Sequence, residues 1–456
     1  MSELVAIVSA LAFCAGAILL GVAVAGYGPW LLTRPQHWLF FAIVLFSVPT
    51  PYTPYASGGA GQGSLFKQLT WGGLFAYSGV AVLGITQGRM AWPRRQIPYA
   101  LLLLTGFVLL SVIWSPDHLV SFKRAVEVAG VVGVALLVGR SALAGKGLRE
   151  QLLAPMTVCI LLGLALLLLA PGIALDGGHA LRGFSSHKNG WGELSLLACL
   201  AVLFSVATAS SRRRWGLGVL LIAAVLSLVL SRSATSIVVL AAVLVWAGLL
   251  LLLRAGVVGK RMAAMLLLAG MLGVGVFTTY AGELPFEWLF ESVLGLVGRS
   301  PTLTGRTYLW QLMWTEIARH PWLGIGYGGF WTGPHGPSAA VFARTLWAPG
   351  QAHNGYLDVV NEVGIVGVAL LGIVLFVHGR NVCQVWRVAP SDAGFHASVM
   401  LSTLVSNCSE SSLLRTTSLS WVVLCASIVE VHLRVKAASA LQRGIGRSAR
   451  AGGFAG

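Results

Sequence analysis

The chain has 456 residues, of which 56% are hydrophobic and 10% charged, with a mean hydropathy of +0.81 and a formal net charge of +16. A soluble domain carries about 25% charged residues, so a water-facing surface cannot be built from this composition, and apolar runs repeatedly reach the ~20 residues that cross a bilayer. The runs do not alternate as β-barrel strands do, and the positive charge falls in short clusters (Arg94-Arg95, Arg212-Arg213-Arg214, Lys260-Arg261 and the tail 434–450) rather than in an aromatic-interleaved domain, which fits cytoplasmic anchoring and argues against nucleic acid as a partner.

An all-α, polytopic transmembrane bundle is expected. In chain order the candidate spans are 4–32, 37–50, 65–87, 98–114, 122–139, 152–170, 189–209, 215–230, 235–253, 262–280, 355–378, 396–406 and 419–432. The first lacks the basic start and cleavage site of a signal peptide and reads as a retained helix. The run 37–50 is short for a crossing; omitting it leaves about twelve spans with both termini inside. Gly58-Gly59-Ala60-Gly61-Gln62-Gly63 is a flexible loop without the Lys-Ser/Thr of a phosphate-binding loop. The cysteines, Cys14, Cys159, Cys199, Cys383, Cys408 and Cys425, lie mostly in apolar runs and form no C-x-x-C pair, so they read as small core hydrophobes.

Loop charge sets the orientation. Arg140, Lys146 and Arg149, the 212–214 triplet, Arg254 with Lys260 and Arg261, Arg380 with Arg387, and the basic tail fall on one side, which the excess of Lys and Arg assigns to the cytoplasm. The loops 114–122, 171–188, 231–234, 281–351 and 407–418 then face outside. The chain divides into transmembrane helices over 1–280, an outer loop domain over 281–352, C-terminal transmembrane helices over 353–433 and a basic cytoplasmic tail over 434–456. Within the long loop, Leu309, Trp310, Leu312, Met313, Trp314 and Ile317 are spaced as one broad face of a helix over 307–319. That face either packs on the bundle or lies in the membrane interface. Pro321 stops the helix, and Gly324, Gly326, Gly328 and Gly329 let the backbone turn sharply.

Few polar side chains are placed to do chemistry. His353 stands just before an apolar helix, where an imidazole suits general-base work, although an interfacial histidine bonded to a loop has the same sequence. Arg306, at the start of the loop helix, can fork onto a phosphate or carboxylate, or be a solvated surface cation. Arg232 sits in Ser231-Arg232-Ser233-Ala234-Thr235-Ser236 between two apolar runs, where a cation has a partner or a task, or snorkels to the headgroups. Arg182, Lys188 and Asn189 enter a helix on the same outer side and could cradle an anion at its N-terminus; a solvated loop explains them about equally well. Asn407, Glu410 and Arg415 flank a polar break, and a Glu410–Arg415 pair closing a hairpin is the simplest account. Glu316 and Glu362 are the acids best placed to orient a basic partner. Gly364 and Gly367 read as packing glycines that admit a neighbouring helix. No H-E-x-x-H or D-x-D motif occurs, and the outer acids Asp176, Glu283, Glu287 and Glu291 are scattered, so neither a metal nor another cofactor is expected.

Together, Arg306, Trp310, His320-Pro321-x-x-Gly324-x-Gly326, then His353-Asn354 with nine residues to Gly364-x-x-Gly367, resemble the pattern of the O-antigen ligase family of lipopolysaccharide biosynthesis. The match spans roughly 306–367, with weaker agreement at 182–189 and 231–236. The resemblance implies a glycosyltransferase C-like enzyme of the bacterial inner membrane with a periplasmic active site. Its donor would be a glycan on undecaprenyl diphosphate and its acceptor a sugar hydroxyl of lipid A–core, both held among membrane lipids. It implies His353 as the essential histidine and Arg306 as the long-loop arginine. Arg182 and Arg232 are looser matches. Lys188, Asn189 and Asn354 are added here as substrate contacts. An O-antigen polymerase, a protein O-oligosaccharyltransferase and a transporter of lipid-linked glycan remain alternatives.

Overall fold

The computed structural model describes residues 97–254, 304–345 and 349–452, apart from single positions 186, 207 and 417, together with a few positions between 256 and 265. The expected spans 4–32, 37–50 and 65–87, most of 262–280, the glycine-rich segment 58–63 and the first part of the long loop lie outside the described residues.

The apolar runs fold as helices. α1 (Tyr99–Leu110) ends in a tight 3-10 turn over Ser111–Trp114. α2 (His118–Ala144) starts at Asp117, whose carboxylate accepts the Val120 amide at 3.0 Å and so satisfies one of the donors a helix start leaves open. α3 (Leu148–Leu169), α4 (Lys188–Val206), α5 (Ser211–Leu230) and α6 (Ala234–Arg254) follow. The long loop contributes α7 (Thr304–Ile317) and the short α8 (Ala339–Arg344). α9 (Gly355–Trp386), α10 (Pro390–Ser406) and α11 (Leu419–Gly452) complete the described chain. Five helices among the described residues, α2, α3, α4, α5 and α9, are long and apolar enough to cross a membrane; α1 with its turn and α6 are shorter apolar helices. The protein is a helical membrane protein.

Helix ends differ from expectation: α2 extends past 122–139 at both ends and α10 begins at Pro390 rather than 396. α9 continues from 378 to Trp386, and α11 runs through the basic tail to Gly452. Hydropathy marks where a helix leaves apolar surroundings, not where it stops; Arg, Lys, Gln and Ala in these extensions are good helix formers. α11 packs along α2, α4 along α3 and α5, and α9 against α1, α10 and α11. One core fills the space between them, with Trp191 and Trp421 among its fully buried side chains.

The two ends of the bundle carry different chemistry. At one end a buried charged network ties the α2–α3 and α9–α10 turns to α11. Arg149 bonds Asp392 at 3.1 Å, Ser391 at 3.1 Å and the Phe204 carbonyl, while Arg434 bonds Asp392 at 2.9 Å and Glu430 at 2.6 Å. Glu430 also accepts the Leu148 amide at 2.6 Å. The 212–214 triplet begins α5 at this same end, where Arg213 approaches Glu150 at 4.0 Å. The 111–121, 176–189, 231–236, 320–331 and 407–415 segments gather at the opposite end, as the alternation of spans requires.

The loop motif and the glycine pair explain each other. α9 is broken at Gly364, whose φ of 64° and ψ of −171° are not helical. The 321–326 segment lies in the break. Ile325 and Gly326 donate to the Asn361 and Glu362 carbonyls at 2.9 and 3.0 Å, and the Ile365 and Val366 amides donate to the Pro321 and Trp322 carbonyls at 2.9 and 3.1 Å. Backbone groups freed inside an apolar helix are thus satisfied by a protein strand rather than by water. A Cβ at Gly364 would stand 2.3 Å from the Trp322 carbonyl oxygen, and one at Gly324 (φ 69°) 2.5 Å from the Glu362 backbone. Gly364 therefore admits a loop, not the neighbouring helix expected of it. Gly367 does face a helix, with Phe107 of α1 at 3.3 Å.

Gly364→Ala and Gly324→Ala should each cost at least about 2 kcal/mol, from the left-handed backbone and the backbone clash together, and lower the apparent melting temperature in detergent by several degrees. Gly367→Ala crowds the Val363 side chain, with its Cγ2 at 2.3 Å, but meets no left-handed backbone and no backbone atom, and should cost less. Equal losses at all three positions would count against the threaded break.

Candidate active site

His353 occupies a corner built by its neighbours. The Ala352 amide donates to both oxygens of Asp358 at 3.2 Å, and the Ala352 carbonyl accepts from Trp310 Nε1 at 2.9 Å. Asn354 caps α9, its side-chain oxygen accepting the Tyr356 and Leu357 amides at 3.1 and 3.2 Å. Between these anchors His353 adopts a φ of 50°, as does Arg232 at 47°. Left-handed backbone costs a non-glycine residue on the order of 1 kcal/mol and gathers at functional sites. α7 reaches this corner because its apolar face, through Leu309, Met313 and Ile317, packs on Phe330, Trp331, Ala352 and Leu357. Of the two placements left open for that face, packing on the protein is the one found.

Glu410, in the turn between α10 and α11, joins the site residues. Its carboxylate accepts from Asn189 Nδ2 at 2.7 Å, lies 3.4 Å from Arg306 Nη2 and 3.6 Å from His353 Nδ1. Arg306 Nη1 donates to the Ser409 carbonyl at 2.6 Å, and the Ser409 hydroxyl meets Thr235 Oγ1 at 2.8 Å. The Gly355 amide donates to the Asn407 and Glu410 carbonyls at 2.9 and 3.0 Å, which fixes the turn against the start of α9. Burial pushes the Glu410 carboxyl up, but the hydrogen bond from His353 and the charges of Arg306 and His353 outweigh it and hold the group below the usual carboxylate range. Gln351 Nε2 stands 3.4 Å from the same His353 nitrogen. A proton on Nδ1 directed at the carboxylate makes Nε2 the basic nitrogen of the ring.

The expected Glu410–Arg415 pair does not form. Arg415 turns to α9, where its Nη2 lies 3.1 Å from Asp358 and 3.6 Å from Glu362. Burial acts against the Arg415 charge, yet Glu362 and Asp358 outweigh it and raise the guanidinium above its ordinary value. Trp331 Nε1 donates to Asp358 at 2.7 Å, so this second ionic group braces the His353 corner from below. Glu362 thus orients a base, as expected, but a structural one. Glu316 pairs with exposed Arg319 at 2.6 Å.

The remaining cations sit around the 173–182 loop at the same end. Arg182 Nε donates to the Ile173 carbonyl and Arg232 Nη1 to the Gly178 carbonyl, both at 3.1 Å. Burial raises the Asp176 carboxyl, but the Ala180 and Gly178 amides and the nearby charges of Lys188 and His187 bring it below its ordinary value. The structure therefore joins His353, Arg306 and Asn189 directly on Glu410, while Arg182 and Arg232 bond the 173–182 loop and Lys188 lies near its Asp176. Asn354 serves as a cap, which commits its side-chain oxygen to the backbone rather than to a substrate.

Residues 217–372 match the family model described as O-Antigen ligase, a segment that holds Arg232, Arg306, the threaded loop and His353. Over that segment the chain is similar to the O-antigen ligase family. It is 30% identical over 299 residues to the Exopolysaccharide production protein ExoQ of Rhizobium meliloti (strain 1021), an alignment covering 59% of this chain and 62% of that protein. The match therefore takes in less than two thirds of the relative's length.

The depressed Glu410 value fixes the sign of a pH effect. The charged carboxylate stabilises the cluster fully above the ordinary value of about 4.3 and loses that effect as pH falls through the lower folded value. Wild type should therefore unfold at a higher temperature than Glu410→Gln near neutral pH, with the gap closing only as pH falls below the usual carboxylate range. A gap that stays constant over that range would mean the charge is not its source.

Proposed function

We propose that the protein is a membrane glycosyltransferase that moves a glycan from undecaprenyl diphosphate to a sugar hydroxyl of lipid A–core on the periplasmic face of the bacterial inner membrane. The observation that carries this reading is the convergence of His353, Arg306 and Asn189 on Glu410, at the end of the bundle away from the 212–214 triplet and the basic tail. Positive charge concentrated at the other end supports a cytoplasmic side there.

The chemistry follows from the residue types. His353 takes the acceptor hydroxyl proton on Nε2 as the oxygen attacks the anomeric carbon. The bond from that carbon to the donor phosphate breaks, and its electron pair leaves on the diphosphate. Glu410 steadies the imidazolium that results, as a carboxylate partner does for a histidine base. Arg306, with Arg182, Arg232 and Lys188 on the adjoining loop, meets the charge that develops on the leaving oxygens. A diphosphate needs no acid to leave, and a single displacement inverts the anomeric centre. The scattered carboxylates support a reaction independent of metal.

One observation favours a second reading. The relative carries the name of an exopolysaccharide production protein, and a polymerase would use the same site with another lipid-linked saccharide as acceptor.

Reconstituted transfer from purified lipid-linked donor tests both. His353→Asn tolerates the left-handed backbone and should lower the rate by ~10²-fold or more; Arg306→Gln should lower it by ~10²-fold. Lipid A–core and lipid-linked saccharide offered as separate acceptors distinguish ligase from polymerase. An active His353→Asn enzyme would remove the base from the mechanism, and activity lost in EDTA and restored by Mg²⁺ would overturn metal independence.

A further inference from the structure

A cavity of about 270 Å³ opens between the last turns of α9 and the middle of α11, at the end of the bundle opposite the candidate active site. Its polar walls are Arg380, Asn381 and Gln384 from α9 and His432, Lys436 and Ser439 from α11. His432, Lys436 and Ser439 follow the i, i+4, i+7 spacing of one helix face, and Arg380, Asn381 and Gln384 stand at i, i+1 and i+4 on the facing helix, so two polar stripes confront each other. Among the described residues, no carboxylate lines this cavity. The smaller cavity nearby, about 190 Å³, differs in that its arginines, Arg149 and Arg434, are matched by Asp392 and Glu430. Neither Arg380 nor Lys436 has an acidic partner within ion-pair distance among the described residues. Asn381 is 3% exposed, and His432 Nε2 is buried without a hydrogen-bond partner among the described residues.

The same face of α9 changes character along its length. One to two turns before Arg380 it carries Phe376 and Ile373, which are 73% and 51% exposed. An apolar stripe therefore runs into a basic, carboxylate-free cavity where the helix leaves its apolar stretch. That order, hydrocarbon surface and then convergent cations, matches an acyl chain followed by its phosphate.

We propose that this cavity binds a phosphate group, held by Arg380, Lys436 and His432, and that the group belongs to an anionic phospholipid whose chains lie along Ile373 and Phe376. Free inorganic phosphate shares the recognition chemistry and is separated by experiment.

The test uses the full-length protein, purified and delipidated in detergent, with apparent melting temperature followed against added phosphatidylglycerol, phosphatidylcholine or inorganic phosphate. Phosphatidylglycerol should raise the melting temperature and phosphatidylcholine should do so far less. In the double variant Arg380→Gln/Lys436→Gln the apparent affinity for phosphatidylglycerol should fall roughly tenfold or more. The charge-keeping pair Arg380→Lys/Lys436→Arg should retain most of it. Arg212→Gln/Arg214→Gln, which removes equal charge elsewhere at the same end, should leave it unchanged. An equal rise with inorganic phosphate, lost in the same double variant, would keep the site and assign it to a free anion. No rise with either, or a rise undiminished in the double variant, would overturn the proposal. Should the double variant not purify as a single species, the two single variants are read in the same way.

Discussion

A single carboxylate draws together segments that the chain keeps far apart. Glu410 accepts from the start of α4, faces the first turn of α7 and meets the corner before α9, at separations in sequence of up to 221 residues. A carboxylate brought this close to an apolar bundle stays charged only when donors replace the water it has lost. The three donors do that, and in doing so they set the position of each other. Remove the acid and a guanidinium, an imidazole and an amide are left facing one another. The Asp358–Arg415 pair, with Trp331 Nε1 donating to Asp358, lies one turn deeper, so the histidine corner rests on a second ionic contact as well as on apolar packing.

Much of this was legible in the sequence, for identifiable reasons. The apolar runs locate the helices because bilayer-facing helices cannot tolerate charge, and the order of basic loops places 187–189, 231–236, 306, 353 and 410 at a common end. His353 and Arg306 stand out because an imidazole and a guanidinium beside apolar runs have few bland uses. The pairings were not legible. Glu410 and Arg415 are near in sequence and opposite in charge, so a local pair is the natural expectation. The turn between them instead points them to different helices, and the acids that claim Arg415 lie on α9. Gly364 was equally opaque, because a packing glycine and a broken helix look alike until the segment that fills the break is known. The helix extensions past 378 and 432 were hidden because hydropathy reports the solvent of a helix and not its hydrogen bonds.

The bundle is asymmetric along its length, and the asymmetry divides the work of its charges. At the end with the basic loops, Arg149 and Arg434 are matched by Asp392 and Glu430 and hold turns to α11. At the other end Glu410 is shared between Arg306 and His353, and Arg182 and Arg232 donate to carbonyls of the 173–182 loop.

The strand lodged in α9 carries a consequence for how the protein is made. Residues 321–326 leave the ribosome before the helix they complete. Until they reach their place, the first half of α9 has carbonyls at 361 and 362 and amides at 365 and 366 with no partner in an apolar medium. Entry of this helix into the bilayer and docking of the preceding outer segment are therefore coupled events in biogenesis. The segment is a fixed part of the membrane wall, and it cannot swing away as a gate without unravelling the helix that presents His353.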